Sequence, residues 1–109
     1  MIDCYQIHYS VGAYEELNEI YEYIWGVLGA LKAASRIVKT IQNAIEGLRF
    51  MPERFALAEG RSYMGLPVRK MPVERYNVFY QVKKESLLVF IISILRKGRK
   101  VKKRLEEML

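Results

Sequence analysis

Residues 87–95 constrain the fold of this 109-residue chain more than any other segment, because they are apolar at every position except Ser93. A strand that is apolar on both faces is covered on both sides, so this segment predicts the central strand of a sheet. The segment is only about half as long as a membrane-spanning helix needs to be, and we expect no contact with a membrane. Each face of the predicted sheet needs a covering layer.

Two amphipathic helices precede this strand. Apolar residues recur at helical spacing over residues 13–27, and again over residues 30–50. The short link between the two segments predicts an antiparallel hairpin. In the first helix, acidic residues are predicted to occupy the exposed side: Glu15, Glu16, Glu19 and Glu22. Two helices can cover only one face of a sheet, which leaves the other face for a C-terminal helix or a partner.

The remaining segments complete an α+β domain over residues 1–109. Alternation of apolar and polar residues predicts a strand at 5–10, and further strands are predicted at 67–73 and 75–83. Pro72 places the strand at 67–73 at an edge or a bulge. The stretch 56–67 reads as a surface loop, and 101–109 allows a short basic helix. The order β-α-α-β-β-β-(α) predicts a helical hairpin packed on one face of a mainly antiparallel four-stranded sheet.

Charge is distributed unevenly along the chain, which carries a net charge of +6. Residues 1–60 contain five Lys/Arg and eight Asp/Glu, a net charge of −3, whereas residues 61–109 contain thirteen and four, a net charge of +9. A basic second half indicates a polyanionic target or an acidic protein partner. The run from 96 to 104 is a candidate phosphate-binding tail.

The sequence offers little material for a metal site. Cys4 and His8 are the single cysteine and the single histidine, so a disulfide within the chain and a Cys/His zinc site are excluded. His8 alternates with apolar residues, and we interpret it as a hydrogen-bonded strand histidine. The first residues lack the pattern of a secretory leader, so we expect a cytoplasmic protein. We also expect that it uses no metal or other cofactor.

Four stretches of the chain, in this order, resemble motifs of the RelE/ParE superfamily of bacterial toxins. They are AYEELNEIYEYI at 13–24, FMPERF at 50–55, VRKMPVERYNVFYQV at 68–82 and IISILRKGR at 91–99. Together they cover nearly the whole chain. The resemblance implies the toxin of a type II toxin–antitoxin system, of the kind that stabilises plasmids, held inactive by a cognate antitoxin. We expect that antitoxin to be acidic and partly helical.

The resemblance implies two mechanisms on this one fold. RelE-type members cleave mRNA within the ribosome without a metal, and ParE-type members inhibit DNA gyrase without being enzymes. Metal-free RNA cleavage needs a base, an acid and cations that stabilise the charged phosphate. The candidate catalytic residues are Lys70, Arg75, Lys97 and Arg99. The candidate RNA- or phosphate-binding residues are Arg69, Arg96, Lys100, Lys102 and Lys103.

The sequence departs from the RNA-cleaving pattern in places. Asn77 stands where many RNA-cleaving relatives have arginine, and Lys103 stands near the position of their late tyrosine. Tyr76 or Tyr80 could substitute as the acid, although their alternation favours core positions. We therefore hold three hypotheses: a ribosome-dependent endoribonuclease, slightly favoured because the basic strand residues are retained; an inhibitor of gyrase; and an inactive member that only binds its antitoxin. Two further interpretations of the basic residues are a solvated rim and a docking surface for antitoxin carboxylates.

Overall fold

The computed structural model of the chain describes residues 4–98, which form two helices packed against one sheet. Helix α1 is Val11–Glu22 and continues into a π-helical turn, Tyr23–Val27. Helix α2 is Leu31–Glu46, and short 3-10 turns follow at Gly47–Arg49 and Pro52–Arg54. The predicted helical hairpin is confirmed, although regular α-helix ends earlier in both helices than the apolar periodicity suggests.

The sheet has five strands in the order β1-β5-β4-β3-β2. Strand β1 pairs in parallel with β5, and the other neighbouring strands are antiparallel. The predicted central position of β5 is confirmed, since β1 lies on one side of it and β4 on the other. The strands are β1 Gln6–Tyr9, β2 Leu57–Tyr63, β3 Leu66–Val73, β4 Tyr76–Lys83 and β5 Leu88–Arg96.

The main core lies between the helices and one face of the sheet. The apolar stripe of α2 contributes Ile41 and Ile45, both fully buried, and the sheet contributes Val78 and Ile91. Ser10 begins α1 as its N-cap: its Oγ accepts a hydrogen bond from the Ala13 N–H (2.9 Å) and donates one to the Ile92 carbonyl (2.7 Å). The start of α1 is thereby tied directly to the central strand.

A smaller apolar cluster occupies the opposite face of the sheet. It contains Val68, Phe79 and Ile92. The turn between β2 and β3 is held by the buried side chain of Gln81, whose Nε2 donates hydrogen bonds to the carbonyls of Tyr63 and Leu66. The β2–β3 hairpin therefore takes part in covering this face.

The prediction of a surface loop at 56–67, and with it a four-stranded sheet, was wrong. Residues 57–63 form β2, an edge strand whose register against β3 shifts between Leu57 and Ser62. Gly60, with φ +70°, lies inside this irregular stretch. A bulged edge strand shows no clean alternation in its sequence, because the alternation restarts after the bulge. The prediction that the strand with Pro72 lies at an edge or a bulge was wrong for the strand as a whole, because β3 lies between β4 and β2. The pairing of β2 with β3 ends at Arg69, so Pro72 itself faces no residue of β2.

Two further expectations can be compared with the structure. The prediction that Glu16 lies on the exposed side of α1 was wrong, because its side chain is buried against β5. The predicted C-terminal helix at 101–109 lies outside the described residues. Among residues 4–98, no helix has both the length and the apolar character that crossing a bilayer demands.

Candidate functional site

Three of the predicted basic site residues meet at one end of the sheet. Tyr76, which opens β4, pairs with Arg96, and the Lys97 N–H donates a 2.8 Å hydrogen bond to the Arg75 carbonyl. The side chains of Arg75, Arg96 and Lys97 are all exposed. The antiparallel pairing of β4 with β5 therefore brings residues about twenty positions apart together.

Lys70 lies apart from this basic end. It pairs with Phe79, three ladder positions from the Val73–Tyr76 pair, which corresponds to roughly 10 Å of strand. Its neighbour Met71 is buried in the main core under the helices, so alternation places Lys70 on the opposite face. The Lys70 side chain is exposed.

Arg69 is held on the helix side of the sheet by contacts to the loop after α2. Its Nη1 donates hydrogen bonds to the carbonyls of Glu53 (3.1 Å) and Phe55 (2.8 Å), and its Nη2 forms an ion pair with the Glu53 carboxylate at 3.3 Å. The guanidinium side chain is 20% exposed. These contacts attach the loop to β3 and occupy most of the guanidinium N–H donors of Arg69. A phosphate could bind Arg69 only by competing with Glu53 and Phe55 for these donors.

Both tyrosines that the sequence offered as substitutes for an acid are buried. The hydroxyl of Tyr80 donates a 2.6 Å hydrogen bond to the Pro52 carbonyl, and burial raises the pKa of Tyr80 to about 12. Tyr76 belongs to the main core. A hydroxyl with a pKa of about 12 that already donates to a carbonyl is poorly suited to give up a proton at neutral pH.

A buried carboxylate connects α1 to the basic end of β5. The Glu16 carboxylate accepts hydrogen bonds from the Ser93 hydroxyl (2.9 Å) and from the Ile94 N–H (3.1 Å). These residues follow a register shift between β4 and β5, at which Ile92 has no opposite residue. Helical spacing alone assigned Glu16 to the solvent side. The isolated polar Ser93 in an apolar strand was the one sequence signal that could have indicated a polar partner.

A groove of about 620 Å³ lies beside this network, between α1 and the end of β5. Acidic Glu16 and Glu19 and basic Arg96 and Lys97 all line it, so carboxylates and cations share one surface. Sequence reasoning did not connect these groups, because helix and strand positions become neighbours only through packing.

Some predicted features remain outside this geometry. Arg99, Lys100, Lys102 and Lys103 lie beyond the described residues. Within residues 4–98, no three His, Cys, Asp or Glu side chains come close enough together to hold a metal ion. His8 is an exposed residue of β1, opposite Phe90 of β5.

The fold is similar to that of solved bacterial and archaeal toxins. The chromosomal ParDE toxin–antitoxin system of P. aeruginosa contains a chain that is 20% identical, with a TM-score of 0.68 over 85% of this chain and 96% of that one. A mutant of E. coli toxin RelE in the free state is 18% identical, with a TM-score of 0.61 over 95% and 96% of the two chains. In the archaeal RelE–RelB complex from Pyrococcus horikoshii, the matching chain is 16% identical, with a TM-score of 0.62 over 88% and 98%.

Sequence comparison identifies the family. None of the curated protein sequences matches this chain. The sequence profile of the family described as the ParE toxin of the type II toxin–antitoxin system parDE matches residues 7–101, which is most of the chain. The matched range runs from within β1 through the end of β5, so it spans both helices and all five strands apart from the first residue of β1. The chain therefore belongs to the ParE toxin family of type II toxin–antitoxin systems.

Proposed function

We propose that this toxin arrests growth by binding and inhibiting DNA gyrase, and that it does not cleave mRNA. Membership of the ParE family supports gyrase as the target, because inhibition of gyrase is what the resemblance to ParE-type toxins implies. The fold supports neither mechanism over the other, since both ParE and RelE toxins have it.

The observation that carries the proposal is the arrangement of the acid–base candidates within residues 4–98. Lys70 lies on the face away from the helices and roughly 10 Å along the sheet from the end where Arg75 and Lys97 meet. Arg69 is ion-paired with Glu53 on the other face. RNA cleavage requires the base, the acid and the cations to reach one phosphate simultaneously. The separation of these groups favours inhibition by binding.

The positions of the tyrosines support the same conclusion. Tyr23 is 47% exposed and lines the groove with Lys97, but it belongs to the helical hairpin, whereas Lys70 lies on the face away from the helices. A strand tyrosine would have to expose its hydroxyl beside Lys70 or Lys97 to supply the proton that the leaving oxygen needs. The hydroxyl of Tyr80 is instead directed into the protein and donates to the Pro52 carbonyl. A binding inhibitor requires no such proton donor and needs only a stable surface.

The proposal is tested by inducing the toxin without its antitoxin and by adding purified toxin to gyrase. We expect growth arrest, inhibited DNA supercoiling and unchanged mRNA 5′ ends. Lys70→Ala is the matched variant, because the Lys70 side chain is exposed and an endoribonuclease should depend on it. If the toxin inhibits gyrase by binding, Lys70→Ala should arrest growth as the wild type does.

Two results would overturn the proposal. Normal supercoiling at excess toxin, together with mRNA cleavage that Lys70→Ala abolishes, would establish the endoribonuclease. Normal growth after induction of a folded toxin would establish an inactive member that only binds its antitoxin. Circular dichroism of the purified proteins verifies folding in each case.

A further inference from the structure

A cavity of about 270 Å³ lies between the helical hairpin and the turn that joins β3 to β4. Apolar side chains of the hairpin form its wall, among them Leu28, Ala33 and Ile37. Leu28 is 59% exposed, so part of this wall is apolar surface open to solvent. Exposed apolar surface that borders a concavity is typical of sites that a partner covers.

Three arginines surround this apolar wall. Arg36 of α2 lines the cavity together with Arg75 and Arg96 from the end of the sheet, and Glu74 is the carboxylate among them. Arg36 forms an ion pair with Glu74 at 3.2 Å. Among residues 4–98, neither Arg75 nor Arg96 has an ion-pair partner. The cavity therefore has an excess of two positive charges at its rim.

The size of the cavity limits what it can hold. Sites for small molecules and cofactors usually measure about 300–1,000 Å³, and this cavity lies just below that range. It suits one large apolar side chain, with carboxylates beside that side chain facing the unpaired guanidinium groups. Arginine binds carboxylates through two parallel hydrogen bonds, which makes such a rim selective for an acidic segment.

We propose that this cavity seats an apolar side chain of the antitoxin, in a segment that presents carboxylates on both sides of it. Charge complementarity favours the acidic antitoxin as the occupant. A segment from the basic second half of this chain would instead be repelled by the arginines around the cavity. The proposal rests on the chain being the toxin of a toxin–antitoxin pair, and it is independent of which cellular target the toxin inhibits. Arg36 joins the candidate site in this way.

The test uses the full-length toxin and the purified antitoxin encoded by the reading frame beside the toxin gene. Ala33→Leu fills the cavity while keeping every charge, and we expect it to raise the Kd for the antitoxin roughly ten- to hundredfold. Arg75→Glu combined with Arg96→Glu should raise the Kd at least about hundredfold and weaken its dependence on salt. Lys39→Glu is the control, because Lys39 is exposed on the same helix but does not line the cavity, and it should change the Kd less than about threefold.

Growth assays separate this proposal from the choice of target. We expect Ala33→Leu to arrest growth like the wild type and to go on arresting it when the antitoxin is co-expressed. Binding of both variants within about threefold of the wild type would overturn the proposal. Unchanged antitoxin binding with loss of growth arrest would assign the cavity to the target instead. Should Ala33→Leu fail to fold, the arginine variant alone decides, since its substitutions lie at exposed positions.

Discussion

Tyr80 links the loop after α2 to the sheet and allows a quantitative test of the described contacts. Its side chain is fully buried, and its hydroxyl donates a 2.6 Å hydrogen bond to the Pro52 carbonyl. Tyr80→Phe removes this donor but keeps the ring. Leaving a buried group without its partner costs about 1–3 kcal/mol, so we expect the free energy of unfolding to fall by about 2 kcal/mol. For a domain of this size, Tm should fall by roughly 10 °C.

The same residue predicts how stability changes at alkaline pH. Burial raises the pKa of Tyr80 from 10.0 to about 12, so the folded protein favours the protonated hydroxyl more strongly than the unfolded chain does. The resulting stabilisation is complete below pH 10 and is lost as the pH rises towards 12. A shift of about two pKa units corresponds to roughly 3 kcal/mol. The stability difference between wild type and Tyr80→Phe should therefore shrink across this interval.

Urea denaturation followed by circular dichroism, repeated between neutral and alkaline pH, measures both effects. Tyr14→Phe is the control, because Tyr14 is 61% exposed and its substitution should change stability by less than about 0.5 kcal/mol. The pKa of Tyr9 is also raised, mainly by burial, but Tyr9 and its surroundings are the same in the wild type and in Tyr80→Phe, so it does not affect the difference between these two. If Tyr80→Phe were as stable as the wild type and the two pH curves ran parallel, the assigned role of Tyr80 would be refuted.

Two further substitutions test the contacts that position the basic strands. Ser10→Ala removes the N-cap of α1 and its bond to the Ile92 carbonyl, and should lower the free energy of unfolding by about 1–2 kcal/mol, whereas Ser10→Thr should restore most of the loss in thermal melts. Arg69→Ala leaves the Glu53 carboxylate and two backbone carbonyls without their donor, and the free energy of unfolding measured by urea denaturation should fall by about 1–2 kcal/mol. Lys70→Ala should cost less than about 0.5 kcal/mol, and equal losses at 69 and 70 would contradict the different environments described for them.

The burial of Glu16 is a feature that the sequence pattern predicted wrongly. Helical periodicity placed it among exposed acidic residues, and the exposed Glu15 and Glu19 fit that pattern. Ile94 lies beyond the last pair between β1 and β5, Tyr9–Ile91, and just after the register shift between β4 and β5. The Glu16 carboxylate accepts hydrogen bonds from the Ile94 N–H and the Ser93 hydroxyl there. A bulge in one strand depends on how that strand pairs with its neighbour, and the helix sequence carries no trace of it.

The sequence by itself determined the helical hairpin, the central position of the apolar strand predicted at residues 87–95 and the gathering of basic residues on the later strands. Each of these follows from periodicity or from the order of elements along the chain, which are local properties. Only the tertiary structure established the edge strand β2, the burial of Glu16 and the separation of Arg69 from Lys70. It likewise placed Arg36 beside Arg75 and Arg96. Strand register and helix-to-sheet packing produce these contacts, because they join residues that lie far apart in the chain.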